Sequence, residues 1–583
     1  MLHFGQTCDA IAATTKKLEK TALVAALLRT MPLSEATTAA IFLSGRPFPA
    51  YEEATLQVGG ALLWRVISGL SGKSEPELTE IYRKHGDAGS VASEALPAKP
   101  DSGLSLAEVQ RAFAGIASAR GPAAKASLLR SLLEQANPFE AKYIVKIISG
   151  DLRIGLKESL VEEAIARAFD EPLDRVKRAN MLLGDLGETL RLASAGKLAD
   201  AHLRLFHPID FMLASPVESS DEALSYFQSA SVEDKYDGIR AQAHIGQGEV
   251  RIFSRTRDEI TESFPELPLA LGGLPNDAIL DGEIVAWKSG SSAGGDCVPA
   301  RALPFSTLQQ RLGRKKVSAK LMREVPVAYL VFDVIYADGE LLLDRPLRDR
   351  ADILERLTKN LEPSASTKAR AGPTERRSTP ASAPSQALLA FAAPELPVAT
   401  ILRAPVAAAT SPGDLETLFT AARQRGNEGL MIKDLDSLYT PGRRGKSWLK
   451  MKRELARLDV VVTAVEYGHG KRIGVLSDYT FAVWDGERLV NIGKAYSGLT
   501  DAEIVEMTQW FLAHQTSEQG LRLEVEPKIV LEVAFNNMMR STRHESGYAL
   551  RFPRIVRLRS DKRPEDADTI ETVRDIYERE HSS

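Results

Sequence analysis

Apolar residues recur at intervals of three and four along the first 205 residues, which is the spacing of one face of an amphipathic helix. The pattern is clearest in the segments TALVAALLRTM, EVQRAFAGIASA, KASLLRSLLEQA and SLVEEAIARAF. Breaks containing glycine and proline, such as HGDAGS and ALPAKPDSG, separate the helical segments, and no fixed-period repeat connects them. Residues 1–205 are therefore predicted to form an all-α domain.

The pattern changes near Pro208 to short alternating or apolar runs bounded by turn residues, which is typical of strands. Examples are RAQAHIG, EVRIFSR, AILDGEIVAW and VAYLVFDVIYADG. Residues 206–453 are predicted to form an α/β domain. A segment near residues 362–386 is rich in Ser, Pro, Ala and Arg and nearly free of large apolar residues, which predicts a flexible surface insertion.

Further strand patterns follow residue 454, with an Asp-Gly hairpin signal at Asp485 and Gly486. The runs are LDVVVTAVEYG, YTFAVWDGERLVNIGKAY and KIVLEVAF. About 130 residues of mostly strand suit a small β-barrel of the OB-fold type. The chain of 583 residues is too long for one hydrophobic core, and these three segments agree with that expectation.

Composition restricts the compartment and the kinds of site. The only cysteines are Cys8 and Cys297, so one chain cannot build a disulfide framework or a four-cysteine zinc site. The chain has neither an export signal at its start nor an apolar run long enough to span a membrane. We therefore expect a cytoplasmic protein with no membrane partner.

Positive charge is concentrated although the net charge is −4. Residues 423–453 contain nine Lys or Arg against three Asp or Glu, and residues 551–563 contain six against one. Such clusters are candidate contacts for phosphate groups, but solvated basic surfaces are equally common.

The segment EDKYDGIRAQAH places Lys235, Asp237, Gly238 and Arg240 at the spacing K-x-D-G-x-R. A strand that ends in an Asp-Gly turn would have the same pattern. A lysine can act as a nucleophile only when its amine is unprotonated, and neighbouring cations or a metal favour that form. The candidates for such neighbours are Lys433, Lys450, Lys452 and Mg²⁺.

With this motif the sequence resembles the superfamily of ATP-dependent DNA ligases and mRNA capping enzymes, in which the motif lysine accepts a nucleoside monophosphate. Further segments resemble the later family motifs and occur in the same order. They are FSRTRDEIT, ILDGEIVAW, YLVFDVIY, EGLMIK and SWLKMKR. Each alone could be an ordinary strand, but together they describe a nucleotide pocket in an α/β (ATP-grasp-like) adenylation domain.

The resemblance implies a role for each motif residue. Lys235 is the catalytic nucleophile, Glu233 accepts from the adenine amino group, Phe332 stacks on the base, and Arg240 and Arg255 face the sugar and phosphates. Glu283 and Glu428 are expected to hold Mg²⁺, because carboxylates are its preferred ligands. The other expected ATP contacts are Glu283, Lys433, Arg444, Lys450, Lys452 and Lys562.

Two outlying segments also resemble parts of large ATP-dependent ligases. SGYALRFPRIVRLRSDKRPEDADT resembles the last motif, which places Arg559, Asp561 and Lys562 on the barrel; in the family this segment moves over ATP during self-adenylation. EAKYIVKIISGDLRIGLKESLVEEAIA resembles the helical DNA-binding domain, with Lys146, Arg153 and Gly155 as expected contacts to the DNA backbone. The implied partner is nicked double-stranded DNA, encircled by a monomer.

Several alternatives define the limits of this interpretation. GRRGKS lacks the spacing of a P-loop, and two cysteines cannot supply the zinc element of NAD-dependent ligases. An RNA ligase, an RNA-capping nucleotidyltransferase and a non-catalytic DNA clamp remain possible from the pocket motifs. Phe211 occupies a position where relatives often have proline, and the insertion has no obvious counterpart.

Overall fold

The computed structural model describes residues 1–52, 54–100, 102–227, 230–274, 277–290, 300–312, 314, 316–359, 399–452, 456–469 and 472–581. The chain divides into two compact units, and the first joins Met1–Ile209 with Arg453–Ser583. The second unit is Asp210–Lys452. The predicted insertion near residues 362–386 lies outside the described residues, and no helix among the described residues is long and apolar enough to cross a membrane.

The N-terminal part of the first unit is helical, as the periodicity predicts. Its aromatic side chains Phe4, Phe42, Phe113 and Tyr143 meet edge to face in the core, with ring centroids 5.6 to 6.4 Å apart. The helices are α1 Leu2–Ala12, α2 Lys17–Thr30, α3 Leu33–Leu43, α4 Gly60–Ser71, α5 Glu75–His85, α6 Ala88–Ala95, α7 Leu106–Ser118, α8 Pro122–Gln135, α9 Pro138–Ile148, α10 Glu158–Phe169, α11 Leu173–Leu183 and α12 Leu186–Ser194.

The described residues of the second unit form two sheets and six α-helices. The helices are α13 Ser220–Leu224, α14 Glu266–Leu271, α15 Phe305–Gln309, α16 Ala319–Glu324, α17 Leu347–Lys359 and α18 Pro412–Gln424. The strands are β1 Leu213–Val217, β2 Ala230–Lys235, β3 Ile239–Gly246, β4 Glu249–Ser254, β5 Ala278–Lys288, β6 Arg301–Ala302, β7 Val327–Ala337, β8 Glu340–Leu341, β9 Thr400–Arg403, β10 Val406–Ala409, β11 Gly429–Asp434 and β12 Arg444–Met451.

The smaller sheet of this unit has the order β1-β12-β11-β2-β10. It carries five of the predicted pocket residues, which are Glu233, Lys235, Lys433, Arg444 and Lys450. On one face, side chains such as Val232, Ile432 and Leu449 pack with Leu415 and Phe419 of α18. The opposite face is defined by register, because directly opposed residues of an antiparallel ladder lie on the same side. That face carries Glu233 opposite Met431, Met431 opposite Lys450, and Lys433 opposite Trp448.

The larger sheet has the order β4-β3-β5-β7-β8, with β6 paired to β5 and β9 paired to β7. Its core face contributes Ala241, Leu280 and Val331 to a second apolar cluster. Arg240 lies opposite Glu283 in the ladder between β3 and β5. The alternation of apolar and polar residues in both sheets thus directs one row of side chains into a core and the other into a shared pocket.

The C-terminal part of the first unit is an OB-like set of strands. The 12-residue strand β13 pairs with β14 along one edge and with β17 and β18 in succession along the other. The elements are β13 Ala456–Tyr467, β14 Leu476–Asp485, β15 Arg488–Ala495, α19 Asp501–Ala513, β16 Gln515–Gln519, β17 Arg522–Val525, β18 Val530–Phe535, β19 Asn537–Arg540, β20 Tyr548–Arg551, β21 Arg554–Leu558 and α20 Ile570–His581.

Helix α5 joins the helical and OB-like parts within the first unit. Arg83 forms a salt bridge of 2.5 Å with Glu518 and donates to the carbonyl of Gly520, in the turn between β16 and β17. Sequence periodicity could predict each part but not this contact, because it depends on two side chains 435 positions apart that share no pattern.

Candidate active site

Lys235 is the last residue of β2, and its amine lies 2.5 Å from Oε2 of Glu428. The backbone amide of Glu428 donates to the carbonyl of Lys235 at 2.8 Å, so both chain segments are fixed beside each other. Nζ of Lys452 lies 4.0 Å from the same Glu428 oxygen. The structure thus brings together the predicted nucleophile, a predicted metal ligand and a predicted phosphate contact.

Asp234 holds the loop that carries Glu428. Its carboxylate accepts two hydrogen bonds from Arg425, at 2.7 and 2.8 Å, and one from Nδ2 of Asn427 at 2.7 Å. Asp234 lies between the motif residues Glu233 and Lys235, but nothing in the sequence marks it as functional. Its partners are about 190 residues away in the chain, so no local signal identified it.

Two motif glycines are required because the backbone passes too close for a side chain. A Cβ atom on Gly238 would lie 2.3 Å from the carbonyl oxygen of Ile284. Gly429, opposite Lys235 in the ladder, has a φ of +148°, and its Cβ would lie 2.2 Å from the carbonyl oxygen of Met451. These contacts explain the glycines in K-x-D-G-x-R and EGLMIK.

Cations converge at the Lys235 end of the pocket. The pKa of Lys450 is lowered, first by partial burial and then by the positive charges of Lys452, Arg444, Lys235 and Arg255. The predicted nucleophile and three other predicted ATP contacts therefore lie within electrostatic reach of Lys450. We call Lys235, Arg255, Arg444, Lys450 and Lys452 the cationic cluster.

Glu283 faces the same end of the pocket. Burial raises the pKa of its carboxyl to about 7, Lys235 and Arg240 oppose the rise, and Asp237 and Glu428 add to it. A carboxylate in such a site gains from a divalent cation, which would favour its ionised form. Within the described ranges no three His, Cys, Asp or Glu form a metal cluster, so a cation here would depend on Glu283, Glu428 and oxygens of a ligand.

The other end of the pocket contains a buried ion pair. Nζ of Lys433 donates to both oxygens of Glu233, at 2.7 and 2.8 Å. The ammonium is 4.4 Å from the ring centroid of Phe332 and 4.5 Å from that of Trp448. Burial raises the pKa of Glu233, and the Lys433 charge counteracts that rise. Because Phe332, Glu233 and Lys433 meet here, we call this the base end.

The position of Lys433 corrects one expectation. Lys433 was among the cations expected beside Lys235, but it lies opposite Ser231, four residues along β2 from Lys235, and only 1% of its side chain is exposed. Strand pairing rather than sequence order determines which end of the pocket a residue of EGLMIK occupies. Glu428 and Lys433 therefore occupy opposite ends.

Arg240 connects the two sheets. Its guanidinium donates to both oxygens of Asp281, at 2.8 and 3.1 Å, and to the carbonyl of Met212 at 2.7 Å. Tyr439 also donates to Asp281, at 2.7 Å. Arg240 was expected to face the sugar and phosphates, but these donors bond to the protein and hold the pocket wall in place. Phe211, the departure from the family pattern, packs 4.9 Å from the same guanidinium.

Comparisons with known proteins agree with this geometry along the whole chain. Models described as "DNA ligase N terminus", "ATP dependent DNA ligase domain" and "ATP dependent DNA ligase C terminal region" match residues 1–166, 211–375 with 399–452, and 472–562. A probable DNA ligase of Koribacter versatilis is 56% identical over 99% of this chain and 96% of its own. The chain belongs to the ATP-dependent DNA ligase family. It is therefore an enzyme of the DNA ligase class.

More distant relatives also match over nearly the whole length of the chain. A DNA ligase of Methanothrix thermoacetophila is 35% identical over 99% of this chain and 98% of its own. A solved structure titled "Pmar-Lig_PreS3" superposes with a TM-score of 0.59 at 17% identity, covering 95% of this chain and 99% of that one. This likeness confirms the multidomain fold with helical, adenylation and OB-like parts.

The predicted last-motif residues of the ligase lie on the OB-like part. Arg559 donates to both oxygens of Asp459, at 2.8 and 2.9 Å, and to both oxygens of Asp561. Nζ of Lys562 lies 2.7 Å from Oδ2 of Asp459. Asp459 on β13 was not expected from the sequence, because it lies 100 residues before the motif it binds.

The predicted DNA contacts of the helical part differ in exposure. Lys146 is 6% exposed and lies 3.2 Å from Asp87, and burial lowers its pKa. We therefore replace the expectation of a DNA contact at Lys146 with a structural role. Arg153 and Gly155 lie on the exposed loop after α9, where Nζ of Lys20 donates to the carbonyl of Gly155 at 3.2 Å. The loop therefore remains a candidate for the backbone contacts.

Proposed function

We propose that this ligase seals nicks in double-stranded DNA through a lysyl-AMP intermediate on Lys235. The contact between Lys235 and Glu428 beside the cationic cluster carries the proposal. It combines a nucleophile, a carboxylate within reach of the proton on its amine, and positive charge for the phosphates of ATP. Positioning and charge neutralisation supply most of the catalysis in such a reaction.

In the first step the unprotonated amine of Lys235 attacks the α-phosphorus of ATP. A P–N bond forms, the P–O bond to pyrophosphate breaks, and the leaving pyrophosphate takes the electron pair. Glu428 is the carboxylate positioned to accept a proton from the amine, since their atoms lie 2.5 Å apart. Lys450 and Lys452 offset the negative charge of the phosphates, and by family resemblance Lys562 reaches the pyrophosphate.

The base end supports the use of ATP rather than GTP. The 6-amino group of adenine can donate to Glu233, and Lys433, bonded to that carboxylate, can donate to a ring nitrogen. Guanine has a carbonyl oxygen at the position of the adenine amino group. That oxygen cannot donate a hydrogen bond to the Glu233 carboxylate, and the two oxygens would repel each other. Phe332 provides the aromatic face for the base. This chemistry favours a ligase over a capping guanylyltransferase.

Glu283 and Glu428 are the residues that would hold Mg²⁺, together with phosphate oxygens of ATP. The donor set fits, because both are carboxylates in partly buried positions and Glu283 has a raised pKa that a cation would reverse. A bound Mg²⁺ supplies charge neutralisation at the phosphates.

The later steps require the enzyme to hold nicked duplex. AMP passes from Lys235 to the 5′-phosphate, which breaks the P–N bond, and the 3′-hydroxyl then displaces AMP to form the phosphodiester. Phe552 is 61% exposed in the OB-like part, and its neighbours Arg551 and Arg554 are positively charged. An exposed aromatic among arginines suits contact with a DNA groove and its phosphates, without dependence on base sequence. Arg153 and the Gly155 loop would add backbone contacts from the helical part, and we expect a monomer around the duplex.

The experiment is a pulse and chase with the purified full chain. Wild type and Lys235→Ala are incubated with α-labelled ATP or GTP and Mg²⁺, then mixed with nicked DNA or a nicked duplex with RNA strands. The proposal predicts label from ATP only, on the wild type only, released as the DNA strand is sealed. GTP labelling would indicate a capping enzyme, sealing of RNA in preference to DNA would indicate an RNA ligase, and either would contradict the proposal.

A further inference from the structure

Asp459 is the centre of a charge cluster on the OB-like part that no catalytic assignment explains. It lies on β13, and its carboxylate accepts hydrogen bonds from Arg559 and Lys562. Arg559 belongs to the exposed surface segment that follows β21, and its second partner is Asp561 of that segment. A single carboxylate on the barrel therefore binds two basic residues of the last motif, Arg559 and Lys562.

The two cations are held differently. Arg559 is bonded to two carboxylates through four hydrogen bonds, and its side chain is 13% exposed. Lys562 reaches Asp459 through one ammonium contact, and its side chain is 31% exposed. If Lys562 leaves, Asp459 keeps Arg559 on both oxygens and no buried charge is stranded. Lys562 is thus the member of the cluster that can exchange its partner at low cost.

The backbone around the cluster is anchored independently of Lys562. The amide of Asp459 donates to the carboxylate of Asp568 at 2.7 Å, and the amide of Asp568 donates to the carbonyl of Asp459 at 2.8 Å. Nε1 of Trp484 donates to the carbonyl of Pro564 at 2.7 Å. The segment after Lys562 is therefore tied to β13 and β14, so Lys562 can release Asp459 without detaching this segment from the barrel.

We propose that Asp459 is a positioning residue that holds Lys562 in an ion pair, which the phosphates of ATP must displace during self-adenylation. This inference rests on the proposed function, in which Lys562 contacts the pyrophosphate. A carboxylate and a phosphate oxygen are competing acceptors for the same ammonium. Asp459 therefore weakens the apparent affinity for ATP and returns Lys562 to one place after pyrophosphate leaves.

The test separates the first step of the reaction from the last. For Asp459→Asn we expect the KM for ATP in self-adenylation to fall by roughly two- to fivefold, the range of a partly exposed ion pair, with kcat unchanged. Sealing of nicked DNA that already carries the 5′-adenylate should stay within about twofold of wild type, because no ATP binds in that step.

Glu532→Gln is the matched control. Glu532 lies directly opposite Asp459 in the ladder of β13 and β18 and has a similarly buried side chain. It forms salt bridges with Arg457 and Arg557 and a longer one, at 3.9 Å, with Arg559. Its removal disturbs the same strands and the same kind of charge contact, including one to Arg559, but leaves the pair of Asp459 with Lys562 in place. The variant therefore reports effects that do not depend on that pair. We expect the KM for ATP to be that of wild type in this variant.

A double-mutant cycle with Lys562→Ala decides the inference. The lowered KM of Asp459→Asn should vanish when Lys562 is absent. An unchanged KM in Asp459→Asn, an equal change in Glu532→Gln, or an effect that persists without Lys562 would overturn the inference while leaving the proposed function intact. If Lys562→Ala alone leaves self-adenylation unchanged, the proposed role of Lys562 fails and the inference fails with it.

Discussion

The two ends of the nucleotide pocket differ in their balance of charge. At the base end, Lys433 and Glu233 neutralise each other at 2.7 and 2.8 Å, and Phe332 and Trp448 exclude water. At the phosphate end, four positive side chains of the cationic cluster act on the fifth, Lys450. Lys235 of this cluster also lies beside Glu428 and acts on Glu283. One end is balanced without a ligand, and the other carries surplus positive charge.

This difference indicates which interactions serve stability and which serve catalysis. A buried pair is costly to break because the remaining partner is left unpaired in a dry site. A group of like charges lowers the stability of the fold by mutual repulsion, and the binding of an anion relieves that repulsion. We therefore expect substitutions at the base end to affect folding most, and substitutions at the phosphate end to affect self-adenylation most.

The largest expected effect comes from breaking the pair at the base end. Glu233→Ala leaves the Lys433 ammonium buried without its partner, and we expect the free energy of unfolding to fall by about 3–5 kcal/mol. Urea denaturation measures the loss. The double variant Glu233→Leu with Lys433→Met removes both charges and should recover most of the stability without recovering adenylation. A single variant as stable as wild type would contradict the account.

The next effect comes from the phosphate end. Lys450→Ala removes one cation from the cluster, and we expect the rate of self-adenylation to fall by roughly 100-fold, typical for a lost transition-state contact. Its melting temperature should match or exceed that of wild type, because repulsion is relieved. Arg443→Ala is the control, since Arg443 is an exposed neighbour of Arg444 but is not among the largest influences on the pKa of Lys450. An equal loss of self-adenylation rate in both variants would contradict a specific role of the cationic cluster in binding the phosphates.

A smaller, pH-dependent effect is expected at Glu283, whose pKa is raised from 4.5 to about 7. Between these values the folded protein binds the proton more tightly than the unfolded chain. This carboxyl therefore stabilises the fold at low pH, and its contribution is lost as the pH rises through that window. The unfolding free energy of wild type relative to Glu283→Gln should fall by roughly 1–3 kcal/mol between pH 4.5 and 8, in buffer without metal or nucleotide. A difference that does not vary with pH would refute this assignment.

The smallest effect is expected in the helical part, where Lys146 is buried and Arg153 lies on an exposed loop. Arg153→Ala should reduce the slope of log binding constant against log salt for nicked DNA by about 1, as expected for one lost phosphate contact. Lys146→Met should leave that slope unchanged and lower thermal stability, because Lys146 is paired with Asp87 in the interior. The reverse result would restore Lys146 as a DNA contact.

Much of the fold and the motif residues could be predicted from the sequence because those signals are local. Helical periodicity, strand alternation and the spacing of K-x-D-G-x-R are contained in short segments, and family resemblance ordered them. The partners that position the motifs could not be predicted in this way. Asp234, Asp281 and Asp459 each act through a residue 40 or more positions away, and the end of the pocket that Lys433 occupies depends on strand register.

Peptide mapping of the adenylated protein shows directly whether Lys235 is the residue that carries AMP. The full chain is incubated with ATP and Mg²⁺ without DNA, digested, and analysed by mass spectrometry for a peptide that carries AMP. We predict AMP on Lys235, its loss when nicked DNA is added after free ATP has been removed, and no adenylated peptide in Lys235→Arg. AMP on another lysine, or AMP that persists after DNA is sealed, would contradict the account.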